Sequence, residues 1–345
     1  MKKQQINALT ATRGFAALLI VIFHFGLERF PINAMQPFFT KGNIAVSYFF
    51  VLSGFIMCWT YQDRLTSYSD YIKRRVARIV PLYWFALAAY VSFFIWQHFH
   101  HALVLDADFR IAALLNIVFL QSYFPHYALL VNGPGWSLSV EMLFYLTFPF
   151  FLAIYNKHLR WFYVITITVF ALSQVAHIYF VLHDNGSNDN WHNFIYYHPL
   201  WHINEFLFGM MGCHWFDVLK QRHQWLFPFL LFALITVIIM YAPPVFHNGL
   251  MAPLVLLFII AVAVKQPRIL GWKPLVFLGE ISYGIYILQF PVYAYWEKLS
   301  DKLFGDLNTN TFFYSYVIVL IAVSAICYSV IEQPLRRKIN ALGKK

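Results

Sequence analysis

Charge is scarce in this chain. Of its 345 residues only 12% are Asp, Glu, Lys or Arg, 60% are hydrophobic and 20% are aromatic. A soluble domain carries about 25% charged residues, so a soluble globular protein is excluded. Short segments of alternating polarity are also missing, which excludes a membrane β-barrel. Cysteine is nearly absent: Cys58, Cys213 and Cys327 each fall inside an apolar run and read as small buried hydrophobes rather than a disulfide or metal framework. No repeat of 20 to 50 residues is evident, which argues against a solenoid. No small-residue cleavage pattern closes the first apolar segment behind Lys2 and Lys3, so that segment reads as a retained helix and not a signal peptide. The chain has 14 histidines, but none has the spacing of a ligand pair beside a carboxylate on one helix face, so no metal site is expected.

What remains is a series of apolar runs near 20 residues long, the signature of an all-α polytopic integral membrane protein. Ten spans are expected, at about 12–29, 44–61, 79–98, 137–155, 161–182, 200–218, 225–242, 248–264, 276–296 and 312–333. Residues 111–123 are apolar but short, and suit a re-entrant or interfacial segment better. With both termini placed in the cytoplasm, 20 of the 25 basic residues fall on that side; only Arg29, Lys41, Arg110, Lys298 and Lys302 do not. Every loop pair then obeys the positive-inside rule. The net charge of +10 is therefore topological, and a nucleic-acid partner is excluded. The whole chain, 1–345, reads as one membrane domain. The outer segments 99–135 and 183–199 are rich in histidine and aromatic residues. They suit a wet mouth for a sugar, although Trp and Tyr belt any membrane interface.

Polar residues inside the apolar runs mark the candidate site. The stretch from Thr12 to Glu28, TRGFAALLIVIFHFGLE, carries Arg13 and His24. At 1.5 Å per residue they stand roughly 16 Å apart, about half a hydrocarbon core, so His24 is expected near the midplane. An ionisable residue there is either functional or helix-packing glue. Before the third span stand Lys73, Arg74, Arg75 and Arg78. Arg75 and Arg78 share a face if helical, which makes an anion seat, although a basic run at a helix end is also ordinary topology signal. The run Gly133-Pro134-Gly135-Trp136-Ser137-Leu138-Ser139-Val140-Glu141 opens the fourth span with a turn. It places Ser137 and Glu141 on one face, with Glu141 inside the hydrocarbon at a depth where His24 is a plausible partner. Glu205 lies a few residues into the sixth span. Glu280 stands near the cytoplasmic boundary, where it can snorkel or pair with Lys273. These residues alone fit an enzyme or a proton-coupled transporter.

Seven stretches, in order, resemble a known family: LTATRGFAALLIVIFHF (9–25), NIAVSYFFVLSGFIM (43–57), YIKRRVARIVPLYW (71–84), GPGWSLSVEMLFYLTFP (133–149), INEFLFGMMG (203–212), LGEISYGIYILQFPV (278–292) and IEQPLRR (331–337). Together they resemble the acyltransferase-3 membrane proteins, which O-acylate surface polysaccharides and other extracytoplasmic acceptors. The family's Arg/His pair falls on Arg13 and His24, its Arg-x-x-Arg on Arg75 and Arg78, and its Trp-Ser-Leu-x-x-Glu on Trp136, Ser137, Leu138 and Glu141. Where the family often has an arginine shortly before the Glu-Phe of the sixth span, this chain has His202. The added soluble esterase-like domain of larger members is not expected here, so transfer is expected to be completed by the membrane domain or a separate partner.

The resemblance implies no permanently bound cofactor, and acyl-CoA, most often acetyl-CoA, as cytoplasmic co-substrate. Its phosphates would sit on Arg75 and Arg78, with Arg13 near the entry. His24 would be the general base and Glu141 would orient it. Trp136, Ser137 and Glu205 would serve the glycan acceptor, with Ser137 or a backbone amide as candidate oxyanion donor. An acyl-His intermediate stays open beside direct transfer; acylation of Ser137 is disfavoured, since no histidine motif adjoins it. A bacterial inner membrane is the expected location. The competing class is an exporter of a sugar-linked lipid or small solute; the missing repeats and the ordered family stretches favour the enzyme.

Overall fold

The computed structural model describes residues 6–27, 29, 33–63, 65, 67–101, 103–183, 189–220, 228–241 and 248–342. Among these the chain forms helices and no strand. The helices are α1 (Asn7–Phe25), α2 (Gln36–Phe39), α3 (Ile44–Tyr61), α4 (Tyr68–His101), α5 (Ala107–Ile117), α6 (Trp136–Lys157), α7 (Leu159–His183), α8 (Asp189–Tyr197), α9 (Ile203–Leu219), α10 (Pro228–Tyr241), α11 (Ala252–Lys265), α12 (Lys273–Glu280), α13 (Ser282–Phe304), α14 (Thr309–Cys327) and α15 (Gln333–Ala341). Lys2, Lys3, Glu28, Arg64, Arg222, Lys344 and Lys345 lie outside the described residues, as do parts of the expected span 225–242 and of the loop 183–199.

The protein is an all-α polytopic membrane protein, with a helix at each expected span. α1, α3, α4, α6, α7 and the run Thr309–Ala341 are long and apolar enough to cross a membrane, and α12 with α13, bent by 58°, adds a seventh crossing if taken as one span. α9, α10 and α11, with 17, 14 and 14 residues, are shorter than the ~20 a perpendicular span needs. Cys58, Cys213 and Cys327 are free and buried.

Three sequence features shape the bundle around the polar residues. The first is close packing at glycine. A Cβ on Gly54 of α3 would stand 2.0 Å from Phe206 O, and one on Gly209 of α9 would stand 2.0 Å from Val51 O. The two backbones touch where both side chains are missing, as small residues allow in a bilayer. A Cβ on Gly279 would lie 1.7 Å from Thr10 O, so α12 lies as tightly on α1. Gly209→Val is therefore expected to cost on the order of 3 kcal/mol or more, because backbone cannot move aside like a side chain. The check is size-exclusion chromatography after detergent extraction. Gly209→Val should lose the monodisperse peak, and Gly271→Ala, whose Cβ meets nothing within 4 Å, should keep it.

The second feature is proline inside helices. Proline removes the N–H that its i−4 carbonyl would accept. Pro149 of α6 so frees Tyr145 O, which takes the Tyr71 hydroxyl of α4 at 2.9 Å. Pro291 of α13 frees Ile287 O, which takes Asn132 Nδ2 at 3.4 Å. Both released carbonyls become tertiary contacts, as an apolar medium demands.

The third feature is the segment between α4 and α6. As expected it makes no continuous span: α5 ends at Ile117 and Phe119 turns the chain with φ +60°. Buried amides then hold it inside the bundle. Tyr83 OH donates to Asn116 Oδ1 at 2.6 Å, and Gln121 Nε2 donates to Gly135 O at 2.7 Å. The Gly133–Gly135 turn that opens α6 is therefore packed against other parts of the bundle, with Pro134 and Gly135 buried.

Candidate functional site

The helix ends bearing Arg13, Arg75 and Arg78 converge on a cavity of about 390 Å³. The register of α4 explains two of the three. The helix begins at Tyr68, well before the expected start at 79, so Arg75 and Arg78 are helical and one turn apart. Both line the cavity with Arg13 of α1 and Arg336 of α15. Three carboxylates, Glu141, Glu280 and Glu332, share the wall. Yet among the described residues no ion pair within 4.0 Å engages any of the four arginines. Arg75 is held by aromatic partners instead. Its Nη2 donates to Tyr61 OH at 3.0 Å, and its guanidinium carbon lies 5.3 Å from the Tyr61 ring centroid and 5.7 Å from that of Tyr145. Such cation–π contacts fix a guanidinium without neutralising it. Four arginines not paired at contact, set against three carboxylates on the same wall, are the groups whose N–H donors an anion's oxygens can accept from.

Glu141 belongs to this cavity, which corrects its expected pairing with His24. Its Oε1 accepts the Tyr145 hydroxyl one turn along α6. The physical reason is local: Tyr145, four residues on, lies on the same face of α6 and reaches the carboxylate first. Glu280 accepts from Tyr328 OH at 3.3 Å instead of pairing with Lys273. Ser137 also lines the cavity, with its Oγ 3.0 Å from Pro134 O and 2.9 Å from Tyr286 OH. Tyr286 OH donates to the same Pro134 carbonyl at 2.9 Å.

Three expected site residues lie elsewhere. His24, eleven residues along α1 from Arg13, is outside the cavity lining. Its Nδ1 is 2.8 Å from Gln289 Oε1, and its ring centroid is 5.2 Å from that of Phe290. Glu205 is fully buried on α9, with its Oε2 2.8 Å from His202 Nδ1. The Nε2 of His202 is 3.1 Å from Tyr196 O, which can only accept, so Nε2 carries a hydrogen. His202 thus occupies the position where the resemblance led us to look for an arginine, and it meets the carboxylate directly. Trp136 packs beside it at a tilt, with ring centroids 5.2 Å from His202 and 5.0 Å from Tyr197. Half-buried Trp136 and the buried His202 and Glu205 form one group beside the cavity.

Sequence reasoning missed the contribution of the C-terminal helix. Residues Tyr328–Glu332 form a single π turn between α14 and α15. Tyr328, Glu332 and Arg336, four apart, all face the cavity through it. A π turn is a frequent mark of a functional site. Lys73 Nζ also donates to Leu342 O, which ties the end of this segment to α4.

A family model described as an acyltransferase domain matches residues 6–329. A putative peptidoglycan O-acetyltransferase of Bacillus subtilis is 25% identical, with 96% of this chain and 55% of the relative covered. An O-acetyltransferase of Staphylococcus aureus is 24% identical, covering 96% of this chain and 57% of the relative. An acyltransferase of Streptomyces mycarofaciens is 32% identical over 44% of this chain and 41% of its own length. The chain thus matches little more than half the length of the two relatives that it aligns with from end to end. No solved structure matches.

Proposed function

Because the chain belongs to this acyltransferase family, we propose that it moves an acyl group, most simply acetyl, from cytoplasmic acyl-CoA to a hydroxyl of an extracytoplasmic or lipid-linked glycan. The observation that carries this reading is the cavity lined by four arginines, none of which has an ion pair within 4.0 Å among the described residues. A nucleotide thioester offers several phosphate charges and a slender arm, and an arginine fork binds phosphate oxygens in pairs. The donor's phosphates rest on Arg75, Arg78 and Arg13, with Arg336, exposed on the cavity rim, as the fourth cation. The pantetheine arm runs past Ser137 and Tyr286 toward His24, roughly 16 Å further along α1. The setting is a bacterial inner membrane with the arginine ends cytoplasmic, the side that the basic loops select.

His24 then serves as general base. It takes the proton of the acceptor hydroxyl as that oxygen bonds to the thioester carbonyl carbon. When the tetrahedral adduct collapses, the C–S bond breaks, the thiolate leaves, and the imidazolium returns the proton to sulfur. The products are the O-acyl glycan and free coenzyme A. Trp136, with Glu205 and His202 behind it, forms the aromatic flank on which a sugar ring stacks.

The test uses purified full-length protein with acetyl-CoA and envelope glycan from the host, followed by mass spectrometry. Expected are one free thiol released per acetyl gained by the glycan and no release without glycan. Solute export without thiol release would identify a transporter and overturn the proposal.

A further inference from the structure

We propose that Gln289 positions His24 by locking its tautomer, so that Nε2 is the nitrogen with the free lone pair. The inference rests on the reading of His24 as the base. Gln289 lies on α13 inside an apolar run and is fully buried. Its side-chain amide is engaged at both ends. Nε2 donates to Tyr286 O at 2.7 Å, and Oε1 faces His24 Nδ1 at 2.8 Å. A main-chain carbonyl can only accept. The NH2 group must therefore point at Tyr286 O, since the flipped amide would set two oxygens against each other. The oxygen then faces His24, and an oxygen at 2.8 Å requires a hydrogen on Nδ1. A neutral imidazole with its hydrogen on Nδ1 has its lone pair on Nε2. The orientation of one glutamine thus determines which nitrogen of an exposed histidine can accept a proton.

The glutamine is itself held. Its main-chain oxygen accepts Tyr316 OH from α14 at 3.0 Å. Two residues later Pro291 breaks the α13 ladder, and Asn132 occupies the freed carbonyl. Tyr286, which anchors the amide through its carbonyl, lines the arginine cavity with its ring and bonds Ser137 and Pro134. One helical turn therefore connects the wall of the donor cavity to the base. An uncharged amide also orients the ring without adding a second charge to the apolar interior, as a carboxylate partner would.

Two readouts test this: coenzyme A binding to purified protein, and O-acetyl content of the host envelope glycan in a strain whose only copy is the variant. Gln289→Leu removes the acceptor and should lower O-acetylation about 10-fold or more, with coenzyme A binding within about twofold of wild type. Gln289→Glu, which a buried apolar site holds as the neutral acid, donates its O–H to Tyr286 O and offers its carbonyl oxygen to His24, and should recover most of that loss. Gln289→Met, which keeps the length and flexibility, repeats the first arm if the leucine variant misfolds. Full acetylation with both Leu and Met, or equal losses in Met and Glu, would overturn the proposal. His24→Ala is measured beside them: if it acetylates normally, the base assignment fails first; if it is inactive while Gln289→Met is normal, only the positioning role fails.

Discussion

Replacing Arg78 by alanine weakens coenzyme A binding about 10- to 100-fold. The size follows from the cost of losing a charge-assisted hydrogen bond, about 1.5–3 kcal/mol, where every 1.4 kcal/mol is tenfold. The arginine has no ion pair among the described residues to release before it binds the ligand, so that cost is expressed in full. Arg75→Ala falls at the upper end or beyond, because it also empties the place between the Tyr61 and Tyr145 rings. Arg336→Ala falls at the lower end, since its side chain is exposed at the rim and water screens it. The measurement is calorimetric binding to detergent-solubilised protein. Acetyl-pantetheine, which has no phosphate, serves as the control in a thiol-release assay. Its turnover should be nearly equal in wild type and Arg78→Ala. An equal loss with the phosphate-free donor would show that Arg78 supports the bundle instead of binding an anion.

The helices and the grouping of the arginines were legible in the sequence for physical reasons, and so were the limits. Apolar runs must be helical in a bilayer, so the spans could be placed from composition. Arg75 and Arg78 share a helix face by spacing alone, and both do line the cavity with Arg13. The partner of Glu141 was not legible. Residue counting gives a height along a helix but not which side chain arrives, and Tyr145 on the same helix face takes the carboxylate. Glu332 and Arg336 stand in the sequence reading only within the stretch IEQPLRR. The available signal was the spacing by four of Tyr328, Glu332 and Arg336, which puts all three on one helix face. Gln289 was not legible as a site residue because its amide does not ionise. The available signal was an amide two residues before a proline within ILQFPV, where every neighbour is apolar. A polar side chain in such a run must have a partner. That partner is the histidine on which the first span is organised.

His24→Ala should abolish glycan O-acetylation, by about 10²-fold or more, while leaving coenzyme A binding close to wild type. The first half reflects the size of general-base catalysis, typically 10²–10⁴-fold. The second half follows from geometry. His24 lies outside the arginine cavity and touches Gln289 and Phe290, not the groups assigned to the donor phosphates. The packing alternative makes a different prediction, because a histidine that only glues α1 to α13 would affect stability more than turnover. Thermal unfolding separates the two. Loss of one part-buried hydrogen bond costs about 1 kcal/mol, a small shift for a bundle that α1 also joins through the backbone contact at Gly279. An inactive His24→Ala protein that melts near wild type and still binds coenzyme A places the chemical step at the far end of α1 from the anion seat. Joint loss of binding, stability and activity would instead make His24 a packing residue, and the base would have to be sought among the cavity carboxylates Glu141, Glu280 and Glu332.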